Sequence, residues 1–173
     1  MSKDRKQIIL QSLAKLLEER DATKVTTASL AKQSGITEAA LYRHFPSKRS
    51  IFLELFAFCD ETIFYKVGEI KKEKGIESDE KIRLIFFFFV IFLEKNKGFA
   101  RILSREALGP NEKNVIDAVN QFYERLELSM KQILASQKEH IQLTPGIGSH
   151  LITSTMEGII SRFIRNGFKE MPS

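Results

Sequence analysis

The chain has 173 residues, 43% of them hydrophobic, with one cysteine, three histidines and a net charge of +5 at neutral pH. That length can bury one good core with at most a small appended module; the lone Cys59 excludes an intramolecular disulfide, and so few cysteines and histidines argue against structural zinc. Residues 1–49 hold ten Lys/Arg against five Asp/Glu and the remainder seventeen of each, which suggests an N-terminal module that meets a polyanion, joined to a neutral body. A basic solvated surface would carry the same charge.

Residues 1–6 are charged and lead into an amphipathic segment, so no secretory signal is expected. The longest apolar run, 84–93, is half of the roughly 20 residues a bilayer span requires. A soluble cytoplasmic protein without a membrane span is expected.

Over residues 6–20, Ile9, Leu13, Leu16 and Leu17 recur at helical spacing. Ahead of them Lys3, Arg5 and Lys6 read either as an arm reaching phosphates or a minor groove or as a frayed terminus. Residues 21–25 form a connection. Thr26 suits the N-cap of a second helix, its hydroxyl accepting from a first-turn amide while its own amide stays free to donate. Leu30 and Ala31 then face inward. Gly35 stands where a helix ends in a left-handed residue, Ile36 plugs the turn, and Thr37 caps a third helix over 38–45, closed by Pro46.

On this third helix Leu41 and Phe45 share the inner face, and Glu38, Ala39, Tyr42 and Arg43 the outer one. Two short helices around a tight turn make a helix-turn-helix, whose second helix enters the major groove. Thr37 and Arg43 offer donors to base edges, and the small Ala39 permits close approach, for example to a thymine methyl. Tyr42, His44 and Lys48 are placed for phosphates. Singly, each also reads as an ordinary surface side chain; together, in register within the net-basic segment, they point to DNA.

A fourth helix is expected from Ser47 to about 74, ended by Gly75, with Ile51, Phe52, Leu55, Phe56, Cys59, Ile63, Val67 and Ile70 as its inner stripe. Cys59 on that stripe reads as core rather than as a catalytic thiol. Residues 79–95 contain LIFFFFVIFL, apolar on every side, which predicts a helix enclosed on several faces. Core packing, a ligand cavity lined by phenylalanines, or a face left partly open to a protein partner would each use it. A short helix or turn over 97–108 ends at Gly109 and Pro110. Val115, Val119, Phe122, Leu126, Met130 and Ile133 stripe a long helix over 114–137. A polar loop over 138–144 precedes Pro145, which opens the last helix. There Ile152, Met156, Ile159, Ile160 and Phe163 share one side, with the small Thr155 and Gly158 among them. Small residues admit a close helix pair, whether a dimer seam or an intramolecular one.

No glycine-rich phosphate loop, H-E-x-x-H or G-x-S-x-G is present, and His44, His140 and His150 fall in separate segments. Neither an enzyme nor a cofactor or metal is expected.

The pattern T-x-x-x-L-A-x-x-x-G-I-T-x-x-x-L-Y-R-H-F-P-S-K over 26–48 resembles the signature of the TetR family of bacterial regulators. The resemblance implies an all-α fold: an N-terminal three-helix DNA-binding domain, residues 1–49, on a helical regulatory and dimerisation body, residues 50–173. Such bodies pair through their last helices, setting two recognition helices on a palindromic double-stranded site, with one or more dimers per site. DNA contacts are implied at Thr26, Thr27, Thr37, Glu38, Ala39, Tyr42, Arg43, His44 and Lys48, with Thr26 on a phosphate, residues 37–43 reading bases, and Tyr42, His44 and Lys48 clamping the backbone.

Further stretches, ILQSLAKLLE (9–18), IRLI (82–85), EKNKGFARIL (94–103), NQFYERLE (120–127) and EGIISRFIRNGFK (157–169), are similar to the SlmA-type nucleoid occlusion factors within that family. That resemblance implies binding of the tubulin-like division protein FtsZ through the fourth and fifth helices, at Phe58, Lys66, Phe88, Lys95 and Asn96. The chain departs from the group's pattern at Ile91, Lys66 and Lys97, where the group carries glycine, arginine and proline, and the sequence stops at Ser173, where the group continues into one more helix. The alternative is a ligand-responsive repressor, in which a small molecule favours one spacing of the reading heads. An empty apolar cavity among Phe86, Phe89, Phe122 and the last helix would mark the repressor; a packed body with an open groove between the fourth and fifth helices would mark the occlusion factor.

Overall fold

The computed structural model describes residues 2–19, 25–109, 112–136, 143–170 and 172. Every regular element among them is helical: α1 (Ser2–Glu18), α2 (Thr27–Gln33), α3 (Glu38–His44), α4 (Lys48–Lys72), α5 (Ser78–Lys95), α6 (Lys97–Leu103), α7 (Lys113–Ala135) and α8 (Pro145–Arg165). They build two compact units, residues 1–59 with 96–119 and residues 60–95 with 120–173. None of the described helices is long and apolar enough to cross a membrane. The expected connection over 21–25 and the loop over 138–144 fall largely outside the described residues, as does Pro110.

In the first unit α1 packs against α2, α3 and α6. Its stripe Ile9, Leu13 and Leu17 is fully buried, and Leu30, Ala31, Leu41 and Phe45 close the core from the other side. The helix starts at Ser2, four residues before the expected boundary, so Lys3, Arg5 and Lys6 belong to α1 rather than to an arm. Asp4 in the first turn suits the positive end of the helix dipole. Lys6 is also held: its ammonium is 3.4 Å from Glu54 and 5.0 Å over the Phe45 ring. Where α6 crosses α1, a Cβ on Gly98 would lie 2.6 Å from the Ala14 carbonyl oxygen, so only glycine permits that approach.

Ser47 and Ser50 cap α4 reciprocally, Ser47 Oγ accepting from Ser50 N at 3.2 Å and Ser50 Oγ from Ser47 N at 3.2 Å. All eight residues of the expected inner stripe of α4 are buried, as are all six of α7. Gly75, at φ +81°, takes the left-handed conformation that ends the segment after α4.

The second unit has an aromatic centre. Phe89 of α5 stacks on Phe122 of α7 at 6.2 Å between centroids, and Phe64 of α4 meets Phe122 edge-on at 5.4 Å. The Arg125 guanidinium lies 3.7 Å over Phe64 and donates to both Asp60 oxygens at 3.0 Å. The apolar run of α5 is not enclosed all round in the chain. Ile85, Phe89, Val90 and Leu93 are buried, whereas Leu84, Phe87 and Ile91 are exposed, because burial follows the helical face turned to the core and not composition. On α8, Met156, Ile160 and Phe163 are buried, while Thr155 and Gly158 stand on the exposed face with Leu151. The small residues therefore lie outside the buried stripe rather than within it.

Candidate nucleic-acid interface

The interface begins with two capped helix starts. Thr26, in extended conformation (φ −111°, ψ 162°), accepts from Ser29 N at 3.1 Å through its hydroxyl, and its own amide donates to Ser29 Oγ at 3.0 Å. This reciprocal capping box corrects the expectation of a free Thr26 amide, because the serine three residues on already takes its hydrogen. Gly35, at φ +65°, turns the chain, and Ile36 N donates back to the Ala31 carbonyl at 3.0 Å. Thr37 then caps α3, its hydroxyl accepting from Ala40 N at 3.2 Å.

Helix α3 ends one residue before the expected Phe45, which is extended (φ −138°, ψ 123°) as a residue before proline prefers. Leu41 and Phe45 are almost wholly inaccessible and anchor the inner side. Thr37, Glu38, Ala39, Tyr42 and Arg43 are exposed, Tyr42 by 49%, and His44 is half-buried. Thr26 is exposed and Thr27 half-buried, its hydroxyl bonded to Glu38. The outer side of α3 thus combines hydroxyl, guanidinium and phenol donors around a small residue, a set able to meet base edges and phosphates.

Lys48, at the start of α4, is only 29% exposed at its side chain. Its ammonium lies 3.2 Å from Glu112 Oε1 and 5.4 Å over the Phe52 ring. Sequence reasoning missed Glu112. Nothing in the local pattern signals a partner 64 positions away, since folding alone brings the pair together.

The residues expected for a protein partner are dispersed in character. Phe58, 66% exposed, and Asn96 border a groove of about 500 Å³ in the first unit, walled also by Leu10 and Ala14 of α1 and by Leu55 and Cys59 of α4. The α1 wall was not anticipated. In the second unit Lys66 is exposed and 3.4 Å from Glu69, Phe88 is half-buried with its ring tilted against Phe92 at 6.0 Å, and Lys95 is exposed. Phe86 lines an open groove of about 330 Å³ with Ile82, Leu151 and Thr155, while Phe89 and Phe122 are buried in contact with each other. Neither Phe89 nor Phe122 lines the groove at Phe86. Burial pushes the Cys59 thiol up to about 12, away from nucleophilic use. Among the described residues no cluster of His, Cys, Asp and Glu could hold a metal ion.

Comparison with known proteins bears on this arrangement. Residues 9–55 match the family model for bacterial regulatory proteins of the tetR family, and residues 77–173 that for a SlmA-like, tetracyclin repressor-like C-terminal domain. The chain is 38% identical to the nucleoid occlusion factor SlmA of Vibrio cholerae, over 98% of this chain and 89% of that protein. It is 35% identical to SlmA of Sodalis glossinidius, over 99% and 88%. Among solved structures the fold is similar to the transcriptional regulator FadR of Bacillus subtilis in complex with stearoyl-CoA (TM-score 0.72, 16% identity, 96% and 90% covered). It is also similar to NalD, the secondary repressor of the MexAB-OprM multidrug efflux pump in Pseudomonas aeruginosa (TM-score 0.75, 17% identity, 98% and 90% covered).

Proposed function

The chain belongs to the TetR family of bacterial regulatory proteins, in the SlmA group, and on that premise we propose that it binds palindromic chromosomal sites as a homodimer and inhibits FtsZ ring assembly over the nucleoid. It is a regulator, not an enzyme, and works in the cytoplasm on the nucleoid without a cofactor. Residues 1–49 serve as the reading head and residues 50–173 as the regulatory and dimerisation body.

The observation that carries the DNA-binding reading is the exposed outer side of α3, held out from a core by the buried Leu41 and Phe45. Thr37, Glu38, Ala39 and Arg43 address base edges, the carboxylate of Glu38 being an acceptor suited to a cytosine amino group. Thr26, Thr27, Tyr42, His44 and Lys48 address the backbone. For the dimer, support comes from Leu151, Thr155 and Gly158 on the uncovered face of α8, where small and apolar side chains let a twofold-related helix approach. The FtsZ surface takes in Phe58, Lys66, Phe88, Lys95 and Asn96. The packing of Phe89 on Phe122 favours this reading over a ligand-responsive repressor.

Co-sedimentation of FtsZ polymers with the chain, with and without a duplex selected by binding from a random pool, tests both halves. Specific DNA should be selected, and the chain should then reduce the sedimenting FtsZ. Selection of DNA with no effect on FtsZ in either condition would assign the chain to the repressors instead.

A further inference from the structure

We propose that Glu112 is an internal competitor for the ammonium of Lys48, a carboxylate built into the fold that lowers the affinity of the reading head for DNA of every sequence. This rests on the reading above, in which Lys48 meets a backbone phosphate.

Glu112 sits just before α7, its side chain only 8% exposed, with Oε1 3.2 Å from Lys48 Nζ. It is fixed from both ends. Its Oε2 accepts from Gly109 N at 2.9 Å, and its own amide donates to the Gly109 carbonyl at 3.0 Å. Most ion pairs on a protein surface join two mobile, solvated side chains and contribute little. Here the acidic partner is buried and locked, while the basic partner has a flexible stem and three donors.

A phosphate approaching Lys48 therefore meets an ammonium whose charge is already largely balanced. If Lys48 keeps its place, the phosphate shares it with a carboxylate at 3.2 Å. If Lys48 swings out, Glu112 stays buried with, among the described residues, the Gly109 amide as its remaining donor, a costly state for a charge. Both arrangements make the contact weaker than one from an unpaired lysine. Because a phosphate carries no sequence information, the effect falls equally on specific and non-specific DNA. By linkage, whatever strengthens the Lys48–Glu112 pair weakens DNA binding, and the reverse.

The test is fluorescence anisotropy of the full chain with a labelled duplex of scrambled sequence, between about 50 and 200 mM salt. Glu112→Gln removes the charge but keeps a carbonyl acceptor for Gly109 N. It should tighten binding by about 3- to 10-fold at the low-salt end and steepen the slope of log affinity against log salt by about 0.9, the equivalent of one more neutralised phosphate. In a Lys48→Gln background the same change should give no gain. Unchanged or weaker binding by Glu112→Gln, or a gain that persists without Lys48, overturns the proposal. Should Glu112→Gln fail to fold, Glu112→Asp, which withdraws the carboxylate by one methylene, decides: tighter binding supports the proposal and unchanged binding overturns it. A folded wild-type chain that binds no duplex at all would instead overturn the DNA-binding reading, and this inference with it.

Discussion

The Thr27 hydroxyl donates to Glu38 Oε2 at 2.7 Å, joining the first turn of α2 to the first turn of α3. The bond ties the Glu38 carboxylate to the start of α2 and limits its rotamers. Thr27→Val is expected to cost about 0.5–1.5 kcal/mol of stability and, on the proposal that Glu38 reads a base, to broaden base preference at that position. Urea unfolding and binding to a partly randomised duplex pool measure the two effects. A preference left as sharp as in the wild type would mean that the aim of Glu38 is irrelevant to recognition.

Gly98 is predicted to be intolerant of any side chain. A Cβ would meet the Ala14 carbonyl at 2.6 Å and Leu17 Cβ at 3.1 Å, and both α1 and α6 would have to move. Gly98→Ala should destabilise the chain by about 1–3 kcal/mol, in the range for overpacking, despite alanine's higher helix propensity. Thermal unfolding reads this directly. A stabilised variant would show that α1 and α6 are not in close contact.

The two faces of α5 should answer mutation very differently. Phe89 is buried on Phe122, so Phe89→Ala is expected to cost about 3–5 kcal/mol. Phe87 is 49% exposed, and Phe87→Ala should change stability by no more than about 0.5 kcal/mol. Equal losses in chemical unfolding would mean that the exposed face is covered in the assembled protein.

Cys59 offers a pH test. Its thiol moves from an ordinary 9.0 to about 12 because burial disfavours the thiolate. The unfolded chain then ionises first. The contribution to stability is complete below pH 9 and is lost as pH rises from 9 toward 12. Cys59→Ala should therefore lose less stability than the wild type between pH 8 and about 10.5, and the native thiol should react slowly with an aromatic disulfide reagent at pH 8. Rapid reaction of the folded chain would refute the burial.

How far the sequence carried this protein depends on the range of the interaction concerned. The caps at Thr26 and Thr37, the turn at Gly35 and the stop before Pro46 are set within about four residues, by hydroxyl reach, left-handed backbone and proline sterics. They were therefore legible in advance, and with them the helix-turn-helix and the exposed side of α3. The buried stripes of α4 and α7 were legible too, because helical periodicity repeats one environment every turn.

What the tertiary structure alone decided are the matters that distant residues settle. Composition made α5 apolar on all sides, but only packing determined that Phe89 lies inside and Phe87 outside. Thr26 looked free to donate until Ser29 was seen to take its amide hydrogen, and Lys48 looked like an open cation until folding set Glu112 beside it. An ion pair or a helix crossing between residues far apart in the chain leaves no local pattern, because its energy arises only when the backbone has already brought the partners together.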